Sequence, residues 1–164
     1  MTILLAIDPS VTCSGWAVFE DGRLVDAGIL RAKNLSDAAK KINEFMQTRN
    51  RFAETIAYEL PQIYRGAQSK ADPADIIKIA AVAGMWLVFC DDCSTGYSPH
   101  EWKGNVKKEV IHSRIHDRLD AHESERLRLC LKEVPASLQH NAMDAVGIGL
   151  KELGRFEKKR GALE

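Results

Sequence analysis

The chain has no net charge, no long hydrophobic run and no cysteine framework, and each absence removes a class of protein. Its 23 basic and 23 acidic residues cancel, so whole-molecule attraction to a polyanion is excluded and nucleic-acid binding would have to come from a local patch. The first apolar stretch, Ile3-Leu4-Leu5-Ala6-Ile7, is far short of the roughly 20 residues of a membrane span and has no basic region before it. Neither a signal peptide nor membrane attachment is expected, and the expected compartment is the cytoplasm. Cys13, Cys90, Cys93 and Cys130 show no disulfide spacing, and in that compartment they are expected to be reduced. There is no internal repeat and no low-complexity segment. The 164 residues, 45% of them hydrophobic and 28% charged, suffice for one domain over 1–164 with its own core.

Residues 3–8 read as a buried strand. Residues 16–20 and 23–30 read as two more, joined by Glu20-Asp21-Gly22, whose Asp-Gly is a hairpin signal. Ser36 is expected to cap a helix running to about Arg49, with Ala39, Ile42, Phe45 and Met46 at core spacing. A strand at 54–60 follows, and after a crossover helix it should lie parallel to an earlier strand. Residues 61–71 are polar enough for a loop. Asp72-Pro73 marks the start of a helix reaching about residue 90 that is apolar nearly all round. Such a helix should be covered on both sides, by the sheet and by a second subunit, unless its end from Met85 to Cys90 is a strand. A short strand at 93–98, a loop at 99–104 and helices at about 105–119, 123–133 and 137–153 complete the reading.

Three carboxylates stand out against this order. Asp8 ends the first strand, Glu59 ends the fourth, and Asp144 interrupts the small, apolar helix around Ala142-Met143-Asp144-Ala145-Val146. Taken singly, an Asp before Pro is often a turn former and an acid at a strand end is often solvated. Brought together by the sheet, three acids would repel one another, and a divalent cation with oxygen ligands, usually Mg²⁺, is what keeps such a group ionised. A second metal pattern, Cys90-x2-Cys93 with His112-x3-His116, has too long a gap for a zinc finger and its pairs fall on different elements.

The order of elements and four blocks of residues resemble the RuvC-type Holliday junction resolvases of the ribonuclease H-like nuclease superfamily. The blocks are Ala6-Ile7-Asp8-Pro9-Ser10 with Gly15-Trp16-Ala17-Val18; Tyr58-Glu59 with Ala71-Asp72-Pro73-Ala74; Ser98-Pro99 with Trp102-Lys103-Gly104 and Lys107; and His140-Asn141-Ala142-Met143-Asp144-Ala145. The resemblance implies an α/β, ribonuclease H-like fold: a five-stranded mixed sheet, three antiparallel strands then two parallel, flanked by helices. It implies metal-dependent cleavage of four-way DNA junctions by a homodimer. Asp8, Glu59 and Asp144 would hold two Mg²⁺ ions, for which Mn²⁺ can substitute, so that a water is activated and the leaving 3′ oxygen stabilised.

Lys107, or its neighbour Lys108, stands where the family keeps an active-site lysine. Lys103 and Arg65 would join them on the DNA, and Tyr64 would stack on unpaired bases near the crossover. The family's acid or His three residues before the final Asp is Asn141 here, with His140 one residue earlier. Both share the helical face of Asp144, and His140 is expected to take over part of the missing role as a water-orienting group or softer ligand, with Asn141 the weaker candidate.

Competing readings are a nuclease of broader branched-DNA specificity, on forks and flaps, a junction-binding module without cleavage, and an ATP-binding phosphotransferase. The last needs a second lobe, for which the chain has no room.

Overall fold

The computed structural model describes residues 1–49, 53–62 and 72–156. β1 (Ile3–Asp8), β2 (Cys13–Glu20) and β3 (Arg23–Arg31) form an antiparallel meander. Asp21 and Gly22 both take positive φ at its hairpin, the backbone a two-residue turn of this kind demands. α1 (Leu35–Arg49) then crosses to β4 (Ala53–Glu59), which pairs parallel with β1, and α2 (Pro73–Leu87) crosses to β5 (Cys90–Tyr97), parallel with β4. The sheet order is β3-β2-β1-β4-β5. Three antiparallel strands followed by two parallel ones, with helices on both faces, is the architecture the sequence implies.

Alternation along the strands divides the core in two. Leu5 and Ile7 of β1 face a cluster with Ile42 and Met46 of α1 and Val82 and Trp86 of α2. Leu4 and Ala6 face the opposite cluster, built with Trp102, Ile111, Ile115, Leu127, Val146 and Ile148. That second layer consists of α3 (Pro99–Lys103), α4 (Lys108–His116), α5 (Ala121–Leu131) and α6 (Gln139–Glu152), the last preceded by a single 3₁₀ turn. By the same alternation Asp8 on β1, and Glu59 two residues beyond Ala57 on β4, belong to the α6 side.

Several boundaries differ from the sequence reading. The first turn of α1 is capped by Asn34, whose Oδ1 accepts from the Asp37 amide at 3.0 Å, so Ser36 is not the cap. Residues 99–104, expected as a loop, form α3, because Ser98 and Glu101 satisfy each other's backbone amides in a capping box. α4 starts at Lys108, so Lys107 is its N-cap. α2 stops at Leu87 and β5 begins at Cys90. Among the described residues α2 is covered on one side only: Ile76, Val82, Ala83 and Trp86 are buried, whereas Ile77 is 68% and Val88 just beyond the helix 75% exposed. Among the described residues no helix is long and apolar enough to cross a membrane.

One buried ion pair ties the second layer to the meander. Glu123, at the start of α5, accepts from the Leu24 amide at 2.8 Å, from the Asp120 amide at 2.9 Å and from Arg155 at 2.6 and 2.7 Å. Burial alone would raise its pKa, but Arg155 and the two amides outweigh burial and hold it at about 2. The carboxylate therefore adds stability that is complete above the unfolded value, about 4.3, and is lost as pH falls toward 2. Glu123→Gln should lower stability at pH 7 by roughly 3 kcal/mol, about 10 °C in Tm. Melting curves from pH 7 to pH 3 should show this deficit shrinking with acid, and a constant deficit would contradict the pairing.

Candidate active site

β1 and β4 are neighbours and parallel, with Ile7 beside Tyr58, so Asp8 and Glu59, each one residue further on, end side by side. Across β1, Asp8 pairs with Gly15 of β2. A Cβ on Gly15 would lie 1.9 Å from the Asn141 carbonyl oxygen. Only glycine allows the first turn of α6 to settle this close to the strands, and that approach carries Asp144 to Asp8. Asp144 itself is 8% exposed in an otherwise buried run of α6.

Asp8 records the result. Its carboxyl is held well above the usual range, first by burial and then by the neighbouring charges of Glu59 and Asp144, with Lys103 and Lys108 acting in the opposite sense. Glu59 is held by its surroundings: its Oε2 accepts from Trp102 Nε1 at 2.8 Å and from Lys103 Nζ at 3.0 Å, both from α3. The Lys103 ammonium also lies 4.8 Å from the centre of the Trp102 ring. Asp144 is approached from α4, with His112 Nε2 3.0 Å from Oδ1 and Lys108 Nζ 3.8 Å from Oδ2. The site therefore sets two lysines against three acids.

As placed, no three His, Cys, Asp or Glu side chains among the described residues close around one point as an ion would require. The donor set nonetheless fits a hard cation. It is made of carboxylate oxygens, and Asp8 sits between two other carboxylates that raise its pKa, a disposition that a divalent cation relieves. Cys90 and Cys93 do not join a zinc site with the two histidines. The Cys90 thiol points to the Cys93 carbonyl at 2.7 Å, the Cys93 sulfur lies 3.6 Å from Thr55 Oγ1, and His112 is engaged by Asp144.

The other sequence candidates divide. Lys103 and Lys108 contact the acids, whereas Lys107 is exposed and its side chain makes no cap hydrogen bond. Asn141 Nδ2 donates to Cys13 Sγ at 3.2 Å on the end of β2. His140 is half-buried, four residues before Asp144, without a side-chain hydrogen bond among the described residues. Tyr64 and Arg65 lie outside the described residues. Sequence reasoning missed His112, weighing it only for zinc, although Lys108 and His112 are four residues apart and so share a face of α4. It also missed the contact of Trp102 with Glu59, because a tryptophan in a short loop carries no signal of its partner.

No family model matches the chain, and no curated protein sequence does. Solved structures do match. The Thermus thermophilus RuvC in complex with a Holliday junction substrate superposes with a TM-score of 0.60 at 17% identity, over 94% of this chain and 97% of that one. The yeast mitochondrial Holliday junction resolvase gives 0.58 at 13% identity, over 97% and 82%. The fowlpox virus resolvase, solved with its substrate Holliday junction DNA, gives 0.52 at 13% identity, over 93% and 99%. With strand order, helix layers and these superpositions together, the chain has the ribonuclease H-like fold in the form that RuvC-type resolvases carry.

Proposed function

We propose that this protein is a metal-dependent endonuclease that cuts branched DNA, four-way junctions first among its substrates. The observation that carries the reading is the placement of Asp8 between Glu59 and Asp144, at the sheet end where α6 crosses β2. Asp8, Glu59 and Asp144 would hold Mg²⁺, or Mn²⁺ in its place, which when bound supplies an activated water and stabilisation of the leaving 3′ oxygen. Lys103 and Lys108 are poised to exchange their carboxylate partners for phosphate oxygens as DNA enters, since an ammonium serves either anion. His140, on the helical face of Asp144, supports a water-orienting role, while Asn141 is occupied by Cys13. An enzyme that reads branch shape through phosphates accepts related geometries, so forks and flaps are the second class of substrate.

Resolution requires two cuts related by a two-fold axis, which calls for two copies of the site. The uncovered face of α2, with Ile77 exposed and Val88 just past the helix end, supports a homodimer through this helix.

In a panel of labelled four-way, three-way, flap and duplex DNA with Mg²⁺, the wild-type protein should cut the four-way junction and leave the duplex. Asp8→Asn should abolish cleavage while junction binding persists. It should also raise Tm in metal-free buffer near neutral pH, because the raised pKa of Asp8 means that its ionised form opposes folding once pH exceeds the unfolded value. Cleavage retained in this variant would refute the assignment. For the dimer, light scattering at micromolar concentration should give twice the chain mass, and Ile77→Glu should return it to monomer and separate the paired cuts into single nicks. A fully active wild-type monomer would contradict the dimer.

A further inference from the structure

Asp144 takes an imidazole from a neighbouring helix, as Glu59 takes the Trp102 indole. His112 Nε2 lies 3.0 Å from Oδ1, a hydrogen-bond distance, whereas Lys108 Nζ at 3.8 Å from Oδ2 is near in charge only. An ionised carboxylate can only accept, so Nε2 carries the hydrogen and His112 donates. The spacing of the two helices is set by packing. Ile111 and Ile115, the neighbours of His112 on α4, are buried in the core with Val146 and Ile148 of α6. A Cβ on Gly147 would lie 2.6 Å from the Trp102 ring and 3.0 Å from Ile115 Cδ1. Gly147 follows Asp144 by three residues and Ile115 follows His112 by three, so the close contact Ile115–Gly147 stands one turn along from the pair His112–Asp144. The same absence of a side chain that lets Ile115 and Trp102 close on α6 brings the imidazole within reach of the carboxylate.

We infer that His112 is the positioning residue of the metal site: by donating to Oδ1 it fixes the rotamer of Asp144 and leaves Oδ2 directed at the ion. The inference rests on the proposed metal-dependent reading of the three acids. It assigns to α4 a task that α6 does not perform, since Asn141 is turned to Cys13. A carboxylate ligand held by a fixed donor binds its ion more tightly because less side-chain freedom is lost on binding, and loss of such a partner typically costs 10- to 100-fold in metal affinity.

The test is Mn²⁺ binding to the full chain without DNA, followed by loss of the free-ion paramagnetic resonance signal, with half-saturating Mn²⁺ for junction cleavage measured in parallel. His112→Ala should weaken Mn²⁺ binding at least tenfold, while the cleavage rate at saturating metal stays within a few-fold of wild type. His112→Gln, whose amide can still donate, should recover most of the affinity. If His112→Ala melts early, His112→Leu fills the space without donating and takes its place, with the same loss expected.

Unchanged Mn²⁺ affinity in His112→Ala or His112→Leu, with binding weakened in Asp144→Asn, would overturn the inference and leave the proposed function standing. Unchanged affinity in Asp144→Asn as well would remove the metal site itself. A nitrogen coupling on the Mn²⁺ bound to wild type that disappears in His112→Ala, with His112→Gln no better than His112→Ala, would make His112 a direct ligand and also overturn the positioning role.

Discussion

The arrangement of this protein turns on a repulsion. Burial and the charges of Glu59 and Asp144 both disfavour an ionised Asp8, and nothing in the packing of the sheet requires an acid there. Its neighbours on β1, Leu4 through Ile7, are fully apolar and buried. The fold nevertheless brings α6 onto β2 so tightly that residue 15 has to be glycine, and this approach is what delivers Asp144 to the strand ends. Core packing thus stores unfavourable electrostatics at one end of the central strands, the pattern expected where a site is organised for a charged ligand.

The surrounding side chains moderate that repulsion without cancelling it. Lys103 and Trp102 converge on one oxygen of Glu59, and Lys108 and His112 approach different oxygens of Asp144. These groups come from α3 and α4, short helices at the edge of the α6 layer, while the acids come from β1, β4 and α6. Negative groups on the central elements and positive groups on peripheral ones form an arrangement in which the lysines can part from the acids without disturbing the core. On the proposed function, a phosphodiester with its metal ions would present the acids with cations and the lysines with anionic oxygens, so both sets would gain partners together.

The fold was readable from local signals wherever those signals were strong. Alternation and the Asp21-Gly22 turn define the meander, and the crossover through α1 makes β4 parallel to an earlier strand; that this strand is β1, which puts Asp8 beside Glu59, is seen only in the sheet itself. Features that depend on tertiary partners were not readable. Lys107 and Lys108 are adjacent lysines in sequence, and only the start of α4 at Lys108 puts one near Asp144 while the other stands exposed at the N-cap position. Residues 99–104 look like a loop until Ser98 and Glu101 are paired in a capping box. The apolar character of α2 speaks for coverage on both sides, yet the described residues supply cover for only one. His112 could have been suspected from its spacing to Lys108, but its partner sits 32 residues away on α6, a distance that no local pattern spans.

The central claim is that Asp8, Glu59 and Asp144 together form one cation site. Anomalous diffraction from crystals soaked in Mn²⁺ tests it most directly, because the ion locates itself. The account predicts strong anomalous peaks within about 2.0–2.4 Å of oxygens from these carboxylates, with Lys103 and Lys108 drawn away from Glu59 and Asp144. Ions bound elsewhere, with the Lys103–Glu59 and Lys108–Asp144 contacts intact under saturating Mn²⁺, would contradict it.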